Sequence, residues 1–137
     1  MGSSWISILI LLLTYFTTPS LSAQDAYQIL ESNNFPKGLL PRDATLRSFD
    51  ASSKKVNITL DEPCELKSQN MRFDRVITFV IKKDSLTKVE GIKEKVITPW
   101  YISIKNIVRN KDELQFTSGE FSLNSSVTRY EQIQQCD

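Results

Sequence analysis

The stretch Phe35-Pro36-Lys37-Gly38-Leu39-Leu40-Pro41 separates a short helical segment from a long run of strand-like sequence. Its first proline fixes its own φ, and the glycine follows two residues later, at the spacing of a type I turn. Its second proline restrains the preceding leucine to an extended conformation, so the chain should leave this hinge as a strand. Leu39 and Leu40 either cap one end of the core or form a lip that contacts a ligand, and the sequence leaves both interpretations open.

A short amphipathic helix is predicted before the hinge, over residues 24–32. Four apolar or aromatic residues recur there at helical spacing: Ala26, Tyr27, Ile29 and Leu30. Asp25 lies near the predicted start, and asparagines at 33 and 34 mark the end. A helix of about nine residues is marginal alone, so we expect its apolar stripe to pack on a sheet.

The N-terminus resembles a secretory signal peptide. An apolar run, residues 5–16, is too short to span a bilayer comfortably and is followed by the small-residue sequence Ser20-Leu21-Ser22-Ala23. We predict a signal peptide over residues 1–23, cleaved after Ala23 or Ser22, and a single secreted domain over residues 24–137 without a stable membrane span. An uncleaved anchor is the alternative, since residues 1–4 carry no Lys or Arg.

The charge balance argues against one class of partner. The chain has 17 Lys and Arg against 16 Asp and Glu, which gives a formal net charge of +1. Nucleic-acid binding calls for a basic stripe, and docking on anionic lipid calls for a polybasic run. The sequence shows neither pattern, so we expect no nucleic-acid partner.

The sequence after the hinge consists of many short strand-like segments separated by turns. Val56, Ile58 and Leu60 alternate with polar residues, which predicts a half-buried strand. The nearly unbroken apolar run of residues 75–82 suggests a central strand that is covered on both faces. Gly91 allows a bulge in a later strand. Turn signals about every 8 to 12 residues predict a mainly β fold, an antiparallel barrel or sandwich-like meander with one short N-terminal helix.

Cys64 and Cys136 are the two cysteines of the chain. In a secreted protein they most simply form one disulfide, which would tie the C-terminal tail to the middle of the sheet. The loop that it closes spans about 72 residues, for which the chain-entropy model gives roughly 4 kcal/mol of stabilisation. Two free thiols are the competing interpretation.

Two N-glycosylation sequons are present, Asn57-Ile58-Thr59 and Asn124-Ser125-Ser126. Strand alternation places Asn57 on the polar face of its strand, whereas Asn124 lies in a loop-like stretch. Both asparagines are candidates for glycan attachment.

The sequence offers little for catalysis. It contains no histidine, which removes Ser-His-Asp and Cys-His arrangements and every histidine-ligated metal site. The four glycines are too scattered for a phosphate-binding or dinucleotide-binding loop. Asp61 with Glu62, or Glu90 with Glu94, could be nominated as an acid–base pair, but solvated surface charge is the simpler interpretation. We interpret Lys93-Glu94-Lys95 as the polar face of an edge strand, and we predict no catalytic residue, no cofactor and no metal.

Trp100 has two interpretations. It lies between Pro99 and Tyr101, where it could line the mouth of a ligand site, and the alternative is a buried core tryptophan. In the strand that it opens, Trp100, Ile102 and Ile104 should face the same way. The candidate ligand-lip residues are Phe35, Leu39, Leu40 and Trp100.

Several short motifs occur in a characteristic order: Tyr27-x-x-Leu30, Gly38-Leu39-Leu40-Pro41, Pro63-Cys64, Val89-Glu90-Gly91-Ile92, Trp100 before an alternating strand, Leu114-x-Phe116 with Gly119, and a cysteine at the very end. In this order they resemble the plant family known as domain of unknown function 538, over essentially the whole mature segment. The chain departs from that pattern where residues 78–84 lack glycine and where Gln134-Gln135 replaces a proline.

The resemblance implies a barrel-like β fold with an N-terminal helix, secretion to the apoplast or cell wall, and a link to stress responses. It also suggests two activities, lipid binding like that of bactericidal/permeability-increasing proteins and hydrolysis of chlorophyll or pectin esters. Our leading hypothesis is a secreted, non-enzymatic domain that binds an apolar or amphipathic small molecule such as a lipid or pigment. A hydrolase, or a module that interacts with the cell wall or another protein, is the alternative.

Overall fold

The computed structural model describes residues 25–97 and 99–137, so the predicted signal peptide lies outside the described residues. One helix, α1, spans Ala26–Ser32. Nine strands follow, namely β1 (Thr45–Asp50), β2 (Lys55–Thr59), β3 (Cys64–Leu66), β4 (Met71–Lys82), β5 (Ser85–Ile97), β6 (Trp100–Ser103), β7 (Asn106–Asn110), β8 (Glu113–Ser118) and β9 (Phe121–Ser126). Three short 3₁₀ helices lie at Lys37–Leu39, Lys67–Gln69 and Val127–Tyr130.

All strand pairs are antiparallel and belong to one sheet with the order β1-β2-β4-β5-β7-β8-β9. The short strands β3 and β6 pair with parts of β4 and β5. The predicted class, a mainly β antiparallel fold with one short helix, is confirmed. Within the described residues β1 and β9 do not pair with each other, so the sheet is open and is not a closed barrel.

The long central strand β4 has one buried face and one open face. Five of its six odd-numbered residues are buried in the core, namely Met71, Phe73, Ile77, Phe79 and Ile81. Val76, on the opposite face, is 52% exposed. The prediction that residues 75–82 are covered on both faces is therefore wrong, because Val76 is apolar yet exposed and the other outward-facing residues are at most partly buried.

Strand β5 carries two bulges. The sequence predicted the one at Gly91 but not the one at Lys88. Lys88 and Gly91 have positive φ values of 50° and 90°, and the register between β4 and β5 shifts around them. A Cβ on Gly91 would overlap the carbonyl oxygen of Val76, so the two strands approach closely there. Because bulges bend strands, they allow the sheet to curve around its core.

Helix α1 begins with a capping box, in which Gln28 N–H donates to Asp25 and Asp25 N–H donates to the Gln28 side chain. Its buried residues are Ala26, Ile29 and Leu30, which join the core of the sheet. The Tyr27 hydroxyl donates to the carbonyl oxygen of Pro41. The helix is thereby fixed to the hinge that follows it.

The C-terminal segment closes back over the N-terminal half of the chain. Tyr130 is buried, and its ring centroid lies 5.7 Å from that of Phe116. Beyond it, Arg42 N–H donates to the Gln134 carbonyl oxygen at 2.8 Å, and Cys136 forms a disulfide with Cys64. The tail thus runs from the core to strand β3, and the predicted disulfide between the two cysteines is present.

Candidate functional site

Strands β5 and β6 form a hairpin whose end extends past the packed core. Apolar side chains on the inner face of the hairpin are therefore exposed there. Trp100 and Ile102 share one face of β6, and Ile104 follows the end of the strand. Their exposure falls from 70% for Trp100, through partial burial of Ile102, to a fully buried Ile104. Ile97 opposes Trp100 across the hairpin and is 68% exposed. We call Ile97, Trp100 and Ile102 the hairpin ledge. The alternative that Trp100 is a core residue is wrong.

Two buried polar side chains lie where the ledge meets the core. Glu94 opposes Ile102 on one side and Met71 on the other, which places its side chain on the inner face, and it is only 8% exposed. Gln69, two residues before Met71, is 2% exposed. Glu94 Oε2 and Gln69 Oε1 have no hydrogen-bond partner within the described part of the chain. A buried polar atom without a partner costs about 1–3 kcal/mol, so each is an acceptor that would gain from a hydrogen bond.

Burial raises the pKa of the Glu94 carboxyl above its usual value, and the nearby positive charge of Arg129 opposes this rise in part. Arg129 also links the two groups, because its carbonyl oxygen accepts from Gln69 Nε2 at 3.3 Å. Burial likewise raises the pKa of Tyr130, whose hydroxyl is influenced by the Glu94 charge. The Ser125 side chain is close enough to lower that pKa, although its geometry is not that of a hydrogen bond. Glu94, Gln69 and Tyr130 therefore form a polar cluster beneath the ledge.

The other predicted lip residues lie elsewhere. The side chains of Phe35, Leu39 and Leu40 are buried in the core, which is the first of the two interpretations given for the leucines. Phe35 also touches a surface depression of about 330 Å³ with mostly polar walls. The structure thus brings none of these three residues to Trp100, and only Trp100 presents an open apolar surface.

The nominated carboxylate pairs do not form a catalytic arrangement. Glu90 opposes Thr78 on the outer face of the sheet, whereas Glu94 points inward, so the two carboxyls lie on opposite faces. Asp61 and Glu62 are exposed beside the disulfide, in a pocket of about 430 Å³. Across the described residues, His, Cys, Asp and Glu side chains form no group of three or more that could hold a metal ion.

The sequon asparagines differ in their surroundings. Asn57 lies in the middle of β2 between β1 and β4, and its Oδ1 is buried with no hydrogen-bond partner among the residues that the structure describes. Asn124 is exposed on β9, which pairs with β8 alone, so its placement in a loop is corrected to an outer strand of the sheet.

Sequence reasoning missed Gln69 and Ile97, and it named Glu94 only as a nominal acid–base partner of Glu90 and as part of a polar strand face. Lys93-Glu94-Lys95 was interpreted as the polar face of an edge strand, but β5 lies inside the sheet and Glu94 is buried. Alternation counted from the buried Ile92 would have placed Glu94 inward. No comparable pattern marks Gln69, which lies in a 3₁₀ turn.

The fold and the ledge define a small, mainly β antiparallel domain with a disulfide-anchored tail. The chain belongs to the family described as protein of unknown function, DUF538, whose model matches residues 26–131. It is also similar to an uncharacterized protein of Arabidopsis thaliana, with 32% identity over 95 residues. That alignment covers 67% of this chain and 55% of the relative, so the chain spans little more than half of the relative's length. No solved structure matches.

Within residues 25–97 and 99–137, no helix combines the length and the apolar character that crossing a membrane requires.

Proposed function

We propose that this chain is a secreted, non-enzymatic domain that binds an amphipathic small molecule, such as a lipid or pigment, at the hairpin ledge. One observation carries the proposal: the exposed apolar surface of Trp100 and Ile102 ends at the unpartnered buried carboxyl of Glu94. The apolar part of the ligand packs on the ledge, and a donor group of the ligand reaches Glu94 or Gln69.

The energetics favour such a two-part ligand. Burying apolar surface contributes about 25 cal/mol per Å², and Trp100 and Ile97 leave most of their surface open for it. A hydrogen bond to an acceptor that is already desolvated adds to this, since the cost of burying that acceptor has been met by folding. A purely apolar ligand would gain only the first contribution.

Secretion and the absence of catalysis are parts of the same proposal. The Cys64–Cys136 disulfide fits an oxidising compartment. The lack of histidine in the sequence removes the usual general base, and the nominated carboxylates do not converge.

Tryptophan fluorescence provides the test. Trp5 lies in the predicted leader, so Trp100 is the single tryptophan of the mature chain. We would titrate the mature protein, produced in a eukaryotic secretory host, with 1-lauroylglycerol, which carries hydroxyl donors, and with methyl laurate, which has none. We expect a Trp100 emission change with 1-lauroylglycerol, weaker binding of methyl laurate, and a smaller difference between the two in Glu94→Gln.

A matched pair of variants tests the location. Trp100→Ala should weaken 1-lauroylglycerol binding about tenfold in native mass spectrometry, in line with the loss of one buried aromatic contact. Phe121→Ala removes another exposed aromatic residue, 47% accessible, from the far turn of β8 and β9, and should leave binding unchanged. Equal effects of the two variants would exclude the ledge as the binding site. Release of free laurate that stops in Glu94→Gln would instead establish a hydrolase.

A further inference from the structure

A second concave surface lies on the outer face of β2, β4 and β5, opposite to the face that carries the ledge. It is a groove of about 550 Å³, within the range of ligand pockets. Its walls combine apolar surface, to which Val80 contributes, with six polar or charged side chains that the argument uses: Lys55, Lys82, Lys88, Thr78, Thr87 and Glu90.

Strand register explains how three lysines come to one groove. Lys55 opposes Val80 of β4, and Val80 in turn opposes Thr87 of β5. Lys82 lies two residues beyond Val80 on the same face, a separation of about 7 Å along a strand. Lys88 follows Thr87 at the bulge, where its φ of 50° departs from strand geometry. Since bulges re-aim side chains, Lys88 joins the row although its number has the opposite parity to Thr87.

Within the described part of the chain, the lysines of the groove have no carboxylate partner within 4.0 Å. Among the described residues, the ion pair within 4.0 Å is Lys93–Asp74, at 3.4 Å, and it lies outside the groove. Glu90 contributes one negative charge, so the three ammonium groups leave an excess of positive charge in a concave surface. A concave surface lined by one sign of charge concentrates ligands of the opposite sign.

We propose that this groove binds a small hydroxylated polyanion, a molecule with two or more negative groups and several hydroxyls. Lys55, Lys82 and Lys88 contact the negative groups, while Glu90 accepts hydrogen bonds from ligand hydroxyls and the threonine hydroxyls complete the contacts. A single inorganic anion reaches only part of a row of this length. Oligomers of sugar acids and sugar phosphates share this chemistry, and the experiment separates the two sources.

Isothermal titration calorimetry of the mature protein at low ionic strength tests the proposal. The probes are trigalacturonate, fructose 1,6-bisphosphate and, as a single-anion reference, inorganic phosphate. We expect trigalacturonate or the bisphosphate to bind more tightly than phosphate, with affinity that falls as salt is added. The probe that binds more tightly identifies the source. Binding no tighter than that of phosphate, for both probes, would overturn the proposal.

Two lysine-to-asparagine variants, at positions whose backbone has a similar positive φ, test where the ligand binds. Lys88→Asn and Lys111→Asn both replace a lysine with positive φ, 50° and 58°, by a residue that tolerates this conformation. Lys88→Asn should weaken binding about two- to five-fold, the range for one partly exposed ion pair, and Lys82→Gln should do the same. Lys111→Asn, in the turn between β7 and β8, should bind like the wild type. Equal affinity of all three variants would place the binding elsewhere.

Discussion

Gly38 lies directly against the backbone of Tyr130, so that a Cβ at position 38 would overlap the Tyr130 carbonyl oxygen and lie 2.7 Å from its carbonyl carbon. Gln132 contributes a second carbonyl oxygen to the same contact. The glycine of the hinge therefore serves close packing against the C-terminal segment. The N-terminal hinge and the C-terminal tail form one contact layer over the core.

Gly38→Ala should lower the free energy of unfolding by about 3 kcal/mol, because the obstacle is backbone that cannot rotate away. Equilibrium urea denaturation measures this. Gly119→Ala is the control: a Cβ there meets nothing within 4 Å, and only its φ of 59° penalises alanine, by about 1 kcal/mol. Equal destabilisation by the two variants would show that the contact with Tyr130 is not made.

The same layer depends on the disulfide. Replacing Cys64 and Cys136 together by alanine releases a link across 72 residues, and should lower the free energy of unfolding by about 4 kcal/mol in the chain-entropy model. Urea midpoints with and without reductant should reproduce that difference for the wild type. Asp137→Ala removes only the hydrogen bond from Lys67 N–H, 2.6 Å long, and should cost about 1 kcal/mol. A double variant as stable as Asp137→Ala would contradict this account of the tail.

Sequence patterns predicted those parts of the fold that depend on local periodicity. The alternation of Val56 and Ile58 and the helix before the hinge needed only neighbouring residues, and the structure has both. The exposure of Trp100 depends on how far β5 and β6 project beyond the core, which no local pattern contains. The burial of Glu94 was not predicted, because a charged residue between two lysines is typical of a solvated surface, although its position in the strand directs it inward.

Glu94 should make stability fall as the pH rises. Burial raises the pKa of its carboxyl in the folded protein above 4.5, the value expected when unfolded. The unfolded state therefore loses its proton first and binds fewer protons above pH 4.5, so the free energy of unfolding decreases with pH until the folded carboxyl also ionises. Urea midpoints between pH 4.5 and 8 should show this decrease in the wild type and not in Glu94→Gln. Parallel curves would mean that Glu94 is solvated in the folded protein.

Asp50 should act in the opposite direction at acidic pH. Hydrogen bonds from the Ser52 hydroxyl, Ser52 N–H and Ser53 N–H lower its pKa to about 2 from 3.8. The stability that they contribute is present above pH 3.8 and is lost as the pH falls through the folded value. Asp50→Asn should therefore show a shallower loss of stability than the wild type between pH 4 and 2, followed by circular dichroism in urea. If the loss of stability between pH 4 and 2 were the same in Asp50→Asn and the wild type, the turn after Asp50 would not be formed in solution.

The two sequons should differ in occupancy when the protein is produced in a secretory host. Asn124 is exposed on β9, whereas Asn57 lies within β2, beside the groove residue Thr78, with its Oδ1 buried. An N-glycan attaches to the side-chain nitrogen, and Asn57 is only partly exposed between the paired strands β1 and β4, so the folded, secreted protein should carry its glycan on the exposed Asn124. Intact mass measurement should show a glycan mass that disappears in Asn124→Gln and persists in Asn57→Gln. The reverse result would mean that the outer face of β2 is covered by a glycan, which would also block access to the lysine groove.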